Sequence, residues 1–280
     1  MTTTTRPRPA PPANRRPAFR DVLRSERIKL LSLPANILAL AAIFVFGLGG
    51  TLFLGLTLES SGVPSVPSIE RTIGEVTVPM VVLGQIVAGI IGVMATGHEY
   101  SSGSIQNTLL AVPSRLRVLA AKTVTVFAAV TVTSLVTILA AWGSTYPFYA
   151  PHGLFAPLTA PGVLPALLGA AAYLGLCAVF GVGITMLVRS TTVGAILVFT
   201  ATLLGPILAS VLPYNLFSRL ARILLLGNAG DAMARAHDEP GPFLDIWGGH
   251  ISPAAGWLIV TAWAVLALLV GAIALQKRDA

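Results

Sequence analysis

The sequence predicts an all-α, polytopic membrane protein with six transmembrane helices and both termini in the cytoplasm. Hydrophobic residues make up 55% of its 280 residues and charged residues only 10%, against about 25% charged residues in soluble domains. Six stretches are apolar over the roughly 20 residues that a helix needs to cross a bilayer. Lys and Arg concentrate in alternate connections between those stretches, as expected of a chain that crosses the membrane repeatedly.

The predicted spans are separated by polar connections that contain Pro, Gly and charged residues. Only Arg189, Ser190 and Thr191 separate the fourth span from the fifth, so these two spans must form a tight hairpin. In chain order the six spans cover residues 35–56, 76–95, 123–142, 163–188, 192–212 and 255–275.

The distribution of basic residues predicts the orientation. Of the 18 Lys and Arg residues, all but Arg71, Arg219, Arg222 and Arg235 lie on the side of the N-terminus. The positive-inside rule places that side in the cytoplasm, and the expected location is the cytoplasmic (plasma) membrane. Residues 1–17, rich in Thr, Pro and Arg, are predicted to be a disordered cytoplasmic tail. The net charge of +7 is attributed to contacts with membrane lipids and not to binding of nucleic acid.

Residues 18–33 predict an amphipathic elbow helix on the cytoplasmic surface. Its apolar residues can share one face that enters the acyl boundary, and Pro34 ends the helix before the first span. Two interpretations stay open: a plain membrane anchor, or an elbow that also touches a cytoplasmic partner. The basic residues assigned to the membrane surface are Arg20, Arg24, Arg27 and Lys29.

Residues 97–122 are the longest predicted cytoplasmic connection and are too polar to cross lipid. Ser102 and Ser104 can cap a short helix, Pro113 stops it, and Arg115 begins the helix of span three. A short helix that projects from a membrane bundle can pass the motion of a bound partner to two spans.

The external segment 213–253 begins with a second amphipathic stretch. Arg219 and Arg222 alternate with apolar residues at helical spacing, which gives residues 215–226 one apolar and one basic face. Such a helix suits the membrane interface or a position folded back into the bundle. A covering role and a gating role are equally open.

The chain lacks the motifs of an enzyme. There is no G-x-x-x-x-G-K-[ST] phosphate loop, and His98-Glu99 is not followed by the second His of a zinc-binding H-E-x-x-H. Charges are nearly absent from the spans, where Gln85 is the most deeply placed strongly polar residue and is expected to bind a neighbouring helix. Such an interior suits an amphipathic cargo, and Gly84, Ala88 and Gly92 predict close packing within the chain or between two copies.

The connection after span two resembles that of the ABC-2 type transporter permeases, especially the short actinobacterial ones. In that family span two ends in a Glu–aromatic pair, followed by Gly-Thr or Gly-Ser, a short helix, Pro, and then Arg and Lys. This chain has, in that order, Glu99-Tyr100, Gly103-Ser104, Pro113, Arg115 and Lys122. Residues 25–30 match the N-terminal elbow of the family, and the six-span layout matches the whole permease.

The resemblance implies a permease subunit of an ATP-driven exporter that moves a drug, antibiotic, lipid or peptide outward. A separate ABC ATPase subunit would hold the ATP and Mg²⁺, and a second permease copy would form a homodimer or heterodimer. A non-transporting scaffold or immunity subunit is the alternative function, and a secondary transporter or channel is a further one. The residues implied to couple the chain to the ATPase are Glu99, Tyr100, Gly103, Ile105, Thr108, Leu109 and Pro113.

Overall fold

Apolar helices dominate the computed structural model of the protein, as the composition predicts. The structure describes residues 17–61, 69–112, 114–153, 157–213, 215–236 and 251–277, and no β-strand occurs among them. Their α-helices are α1 (Phe19–Ser32), α2 (Pro34–Leu56), α3 (Leu58–Ser61), α4 (Ile69–Ser101), α5 (Ser104–Ala111), α6 (Arg115–Tyr149), α7 (Val163–Val188), α8 (Thr191–Phe199), α9 (Gly205–Val211), α10 (Leu216–Leu224), α11 (Leu226–Met233) and α12 (Pro253–Lys277).

Among the described residues, six segments are long and apolar enough to cross a membrane, which confirms the predicted six-span, multi-pass architecture. The spans are α2, α4, α6, α7, the α8–α9 segment and α12. Within the fifth span, the π-helix Thr200–Leu204 joins α8 to α9. A π-turn holds one more residue than an α-turn, so it rotates α9 about the span axis relative to α8.

The sequence predicts external loops at residues 59–74 and 147–161, and both are shorter in the structure than expected. Residues 69–74 belong to α4, and α6 continues through Pro147 to Tyr149. Helices do not have to end where the lipid ends, and Glu70 in the first turn of α4 favours the extension because a carboxylate is stabilised at a helix N-terminus. The remaining residues of the first loop, 62–68, lie outside the described residues.

The central helix of the bundle is α7. It packs against α4, α6 and α12, and 72% of its most apolar stretch is buried, whereas the corresponding value for α2 is 17%. The small residues of α4 allow a close approach to α7, since a Cβ atom at Gly92 would lie 1.9 Å from the carbonyl oxygen of Ala178. In this chain the small-residue face of span two therefore forms an intrachain contact with α7.

One hydrogen bond between α4 and α7 is buried at membrane depth. The hydroxyl group of Tyr173 donates to Oε1 of Gln85, and both side chains are fully buried. This is the interhelical role that the sequence indicates for Gln85.

The predicted amphipathic stretch forms the helix α10, which folds back onto the end of α9. On α10, Leu216 and Phe217 are exposed, while Arg222 is buried and donates hydrogen bonds to the backbone carbonyls of Ala209, Ser210 and Leu212. The basic face is therefore incomplete, because Arg222 satisfies carbonyl groups at the end of α9. The buried helix α11 then packs against α7 and α12. Residues 214 and 237–250 of the predicted segment lie outside the described residues.

One end of the bundle, here called the elbow face, carries α1, α5, the α7–α8 connection and the C-terminal end of α12. Arg115 at the start of α6 donates a hydrogen bond of 2.6 Å to the carbonyl of Leu275. The guanidinium of Arg189 lies 5.5 Å from the ring centroid of Tyr100. Because α1 packs on α6, the contact of Arg115 with Leu275 places the first and last described helices at the same face. The predicted tail lies outside the described residues as far as residue 16.

Candidate functional site

Four charged side chains form a closed ring at the elbow face. Lys29 Nζ lies 2.8 Å from Glu26 Oε1 and 2.7 Å from Glu99 Oε1. Lys122 Nζ lies 2.6 Å from Glu26 Oε2 and 3.1 Å from Glu99 Oε1. Each charge thus contacts both opposite charges. We call these residues the charge ring, and they join α1, α4 and α6.

The elbow reaches the ring because its end is fixed to the first span. Leu33 is extended, as a residue before proline favours, and Pro34 starts α2 as predicted. Asn36 is buried one turn later, and its Nδ2 donates a 3.0 Å hydrogen bond to the carbonyl of Leu30. That bond satisfies a terminal carbonyl of α1, so the helix turns onto the bundle with Glu26 and Lys29 facing inward.

Three of the four ring members are shielded from water, whereas the side chain of Lys29 is 37% exposed. The side chains of Glu26 and Lys122 are each 3% exposed, and that of Glu99 is 9% exposed. Removing such charges from water costs several kcal/mol per ion unless they are paired and hydrogen-bonded. Here two carboxylates face two ammonium groups, and Lys122 also donates to the carbonyl of Ala95 at 2.9 Å. The ring is therefore neutral as a whole.

The elbow members of the ring are charged at neutral pH. Burial would raise the pKa of the Glu26 carboxyl, but the nearby ammonium groups of Lys122 and Lys29 hold the pKa below its usual value. Burial would lower the pKa of Lys29, but its hydrogen bonds to Glu26 and Glu99 raise the pKa above its usual value. Glu26 thus loses its contribution to stability only as pH falls below its ordinary pKa, and Lys29 only as pH rises above its own.

The short helix α5 is attached directly to this ring. Lys29 Nζ donates a 3.2 Å hydrogen bond to Oγ1 of Thr108. Ile105 is only 5% exposed and packs into the main core. Gly103 precedes the helix with a φ of +67°, a left-handed conformation that glycine adopts without steric cost. Thus α5 is held by a polar bond, an apolar contact and a sharp turn.

The other side of α5 is open. Gln106, Asn107, Leu110 and Ala111 are exposed, and their spacing places them on one helical face. Leu110 is 81% exposed, although it belongs to a helix at the end of the bundle that carries the charge ring. We call these four residues the α5 outer face.

Tyr100 links the end of α4 to the far side of the bundle. Its hydroxyl donates to the sulfur of Met186 on α7 at 3.5 Å, and its ring lies beside the Arg189 guanidinium. Glu99 and Tyr100 are neighbours that point in different directions, one toward α1 and α6 and the other toward α7. A displacement of this helix end therefore reaches most of the bundle.

A cavity of about 410 Å³ lies beside the ring, between α1, the end of α4 and the start of α6. Glu26, Lys29, Glu99 and Lys122 all line it, together with Asn36. The buried atoms Glu99 Oε2 and Asn36 Oδ1 have no hydrogen-bond partner within the described protein. These two oxygens are therefore buried beside the cavity without a compensating hydrogen bond.

Five of the residues implied to couple the chain to an ATPase lie close to one another in the structure, but they do not all have the same surroundings. Glu99, Tyr100, Ile105 and Thr108 hold the helices in place, while Gly103 is exposed. The side chain of Leu109 and the whole of Pro113 lie outside the described residues.

The four basic residues assigned to the membrane surface also divide. Arg20, Arg24 and Arg27 are exposed along α1. Lys29 instead belongs to the charge ring, because its position on α1 places its side chain opposite Glu99. Its assignment to the membrane surface is therefore corrected.

Sequence reasoning missed three residues of this site as candidates: Glu26, Lys122 and Leu110. A signal for the two charges was present, because each lies beside an apolar segment in a chain with few charges and so requires a partner. The importance of Leu110 depends on which side of α5 faces the bundle, which the eight residues of the helix do not decide.

Comparison with protein-family models gave no match, and comparison with curated proteins found no similar sequence. The functional argument therefore depends on the geometry of the site and on the sequence resemblance. The described residues contain no group of three or more His, Cys, Asp or Glu that could hold a metal ion.

Proposed function

We propose that the chain is the transmembrane permease subunit of an ATP-driven exporter, and that α5 is the helix on which a separate ATPase subunit docks. The charge ring carries this proposal. It joins the elbow, the end of the second span and the start of the third, and through Thr108 it holds α5 against all three. A partner that moves α5 would therefore move several helices together.

The distribution of exposed and buried residues on α5 supports docking in place of a purely structural role. Its inner side is attached by Ile105 and Thr108, whereas the α5 outer face presents Leu110 beside the polar Gln106 and Asn107. An apolar side chain surrounded by polar ones is typical of the centre of a protein interface. The sequence resemblance supplies the class of partner, an ABC ATPase.

The proposal includes an orientation and a cargo. The excess of basic residues supports a cytoplasmic elbow face in the plasma membrane, where an ATPase would have access to ATP. The near absence of charges within the spans supports an amphipathic cargo, such as a drug, antibiotic, lipid or peptide. Outward direction and pairing with a second permease copy follow from the resemblance.

A capture experiment tests the docking helix. The tagged chain is purified in detergent together with a candidate P-loop ATPase, and the wild type is compared with Leu110→Asp. We expect the wild type to retain the ATPase in a fixed ratio and the variant to lose it, because a carboxylate would be buried without a partner at the interface.

The matched control is Leu158→Asp, which introduces the same change at an exposed leucine at the opposite end of the bundle. Both variants should unfold at the wild-type temperature, since neither side chain supports the core. Equal retention of the ATPase by wild type and Leu110→Asp would overturn the assignment of α5. Failure of the wild type to retain any ATPase would contradict the permease assignment and favour a scaffold or immunity subunit.

A further inference from the structure

A second cavity lies on the outer side of the elbow, between α1, α2 and α6, and has a volume of about 850 Å³. The charge ring does not line it. Leu30 and Thr125 border both this cavity and the one beside the ring, so they separate the two. We call the second cavity the elbow groove.

The lining of the elbow groove has two chemically different parts. Three arginines, Arg20, Arg24 and Arg27, lie on α1 at intervals of four and three residues and form one stripe. The wall opposite them is apolar, with Val124 and Val132 of α6 among the most exposed valines of the chain. Basic groups therefore meet an apolar channel at the edge of the spans.

We propose that the elbow groove is a binding site for one anionic phospholipid. The headgroup would bind along the arginine stripe, because planar guanidinium groups donate paired hydrogen bonds to phosphate oxygens. An acyl chain would lie on the exposed surface of α6 along Val124, Ala128 and Val132, which recur every four residues and share one face. The groove is thus complementary to the lipid in both charge and polarity.

This inference goes beyond the attraction of a basic helix to a membrane surface. A surface helix needs only charge on one side, whereas the groove adds a wall from the third span. A lipid bound there would press on Leu30 and Thr125, the residues that separate it from the charge ring. The site does not depend on an ATPase and is testable in the isolated chain.

Native mass spectrometry of the purified chain provides the test. The chain is mixed with phosphatidylglycerol and phosphatidylcholine of identical acyl chains, and the two bound populations are compared. We expect a preference for phosphatidylglycerol that falls about fivefold for each arginine removed. In the double variant Arg24→Gln/Arg27→Gln, the preference for phosphatidylglycerol should therefore be about 25-fold lower than in the wild type.

Two further variants separate a groove from a general charge effect. Arg219→Gln/Lys277→Gln removes the same charge from exposed positions outside the groove and should leave the preference unchanged. Ala128→Phe keeps every charge but fills the apolar wall, so it should lower phosphatidylglycerol binding. Ala128 is exposed, which makes the larger side chain compatible with folding.

Several outcomes would overturn the proposal. The first is equal binding of the two lipids by the wild type, and the second is an equal loss in both arginine and control variants. Displacement of the lipid by glycerol 3-phosphate, which has no acyl chains, would indicate a simple anion site. If Ala128→Phe instead changed the oligomeric state and left lipid binding intact, the groove would belong to a second copy.

Discussion

At the scale of single residues, the charge ring brings four of the 29 charged residues of the chain into mutual contact. Glu26 and Lys122 are separated by 96 positions in the sequence, and both are almost fully buried. A buried ion pair need not add stability over apolar residues of the same shape, but removing one partner leaves an uncompensated charge. The ring therefore specifies how α1 sits on α6 more than it strengthens the fold.

Replacement of one ring member should be strongly destabilising. We expect Lys122→Met to lower the free energy of unfolding by about 3–5 kcal/mol, because two buried carboxylates would then share only Lys29. Denaturant unfolding in detergent measures the change. The double variant Glu26→Gln/Lys122→Met leaves a neutral pair of Lys29 and Glu99 and should recover most of the loss. If the double variant were as unstable as the single one, packing and not charge would be the cause.

The same residues show why the site was only partly predictable. Glu99 was selected because it occupies the position of the Glu–aromatic pair in the resemblance, and it lies in the ring. The pair of Glu26 and Lys122 could not be selected in this way, because a pairing across 96 residues depends on how helices dock and not on local spacing. Lys29 shows the opposite error: its sequence neighbourhood is basic, yet its contacts are acidic.

At the scale of elements, the existence of the six spans could be predicted and their ends could not. Hydropathy measures which residues tolerate lipid, and this locates the spans. A helix continues for as long as its backbone hydrogen bonds and flanking residues allow, so α4 and α6 extend beyond their apolar parts. The π-helix in the fifth span likewise has no signature in a sequence pattern that reports only polarity.

The crossing of α4 and α7 makes a clear prediction about glycine. We expect Gly92→Ala to lower the free energy of unfolding by about 1–3 kcal/mol, because the added methyl would meet the Ala178 carbonyl oxygen and force the helices apart. Gly49→Ala is the matched control, since nothing lies within 4 Å of the added methyl in that position of α2. It should be neutral or stabilise the protein by up to about 1 kcal/mol, as expected of alanine within a helix.

Thermal or denaturant unfolding in detergent would distinguish the two glycine variants. If the two variants changed the free energy of unfolding equally, the α4–α7 contact would be able to accommodate the added methyl group without destabilising the protein. If Gly49→Ala lowered the free energy of unfolding more than Gly92→Ala, α2 would contact another surface at that position, such as a second copy of the chain.

At the scale of the whole molecule, the even number of spans gives the two ends of the chain a common face. Arg115 connects α6 to the C-terminal end of α12, and Lys29 connects the elbow to the same region. The orientation of that face in the membrane follows from the count of basic residues and is open to a direct test.

Labelling of single cysteines would establish the orientation. In a Cys177→Ala background, we expect Ser102→Cys to react with an impermeant maleimide in inside-out vesicles but not in intact cells. Leu158→Cys, at the opposite end of the bundle, should react in intact cells only. Cys177 itself is buried, so replacing it by another small residue should disturb little. The reverse pattern of labelling would invert the predicted topology and place the elbow outside.

The long separation between Glu26 and Lys122 also sets an order of events during synthesis. The elbow leaves the ribosome first, and the residues that pair with it, Glu99 and Lys122, emerge only after the second span has been made. Until then, Glu26 and Lys29 have only each other and water as partners. The first span is therefore inserted before its own elbow can dock, and a chain that stalls before the start of the third span would leave the elbow without its buried anchor.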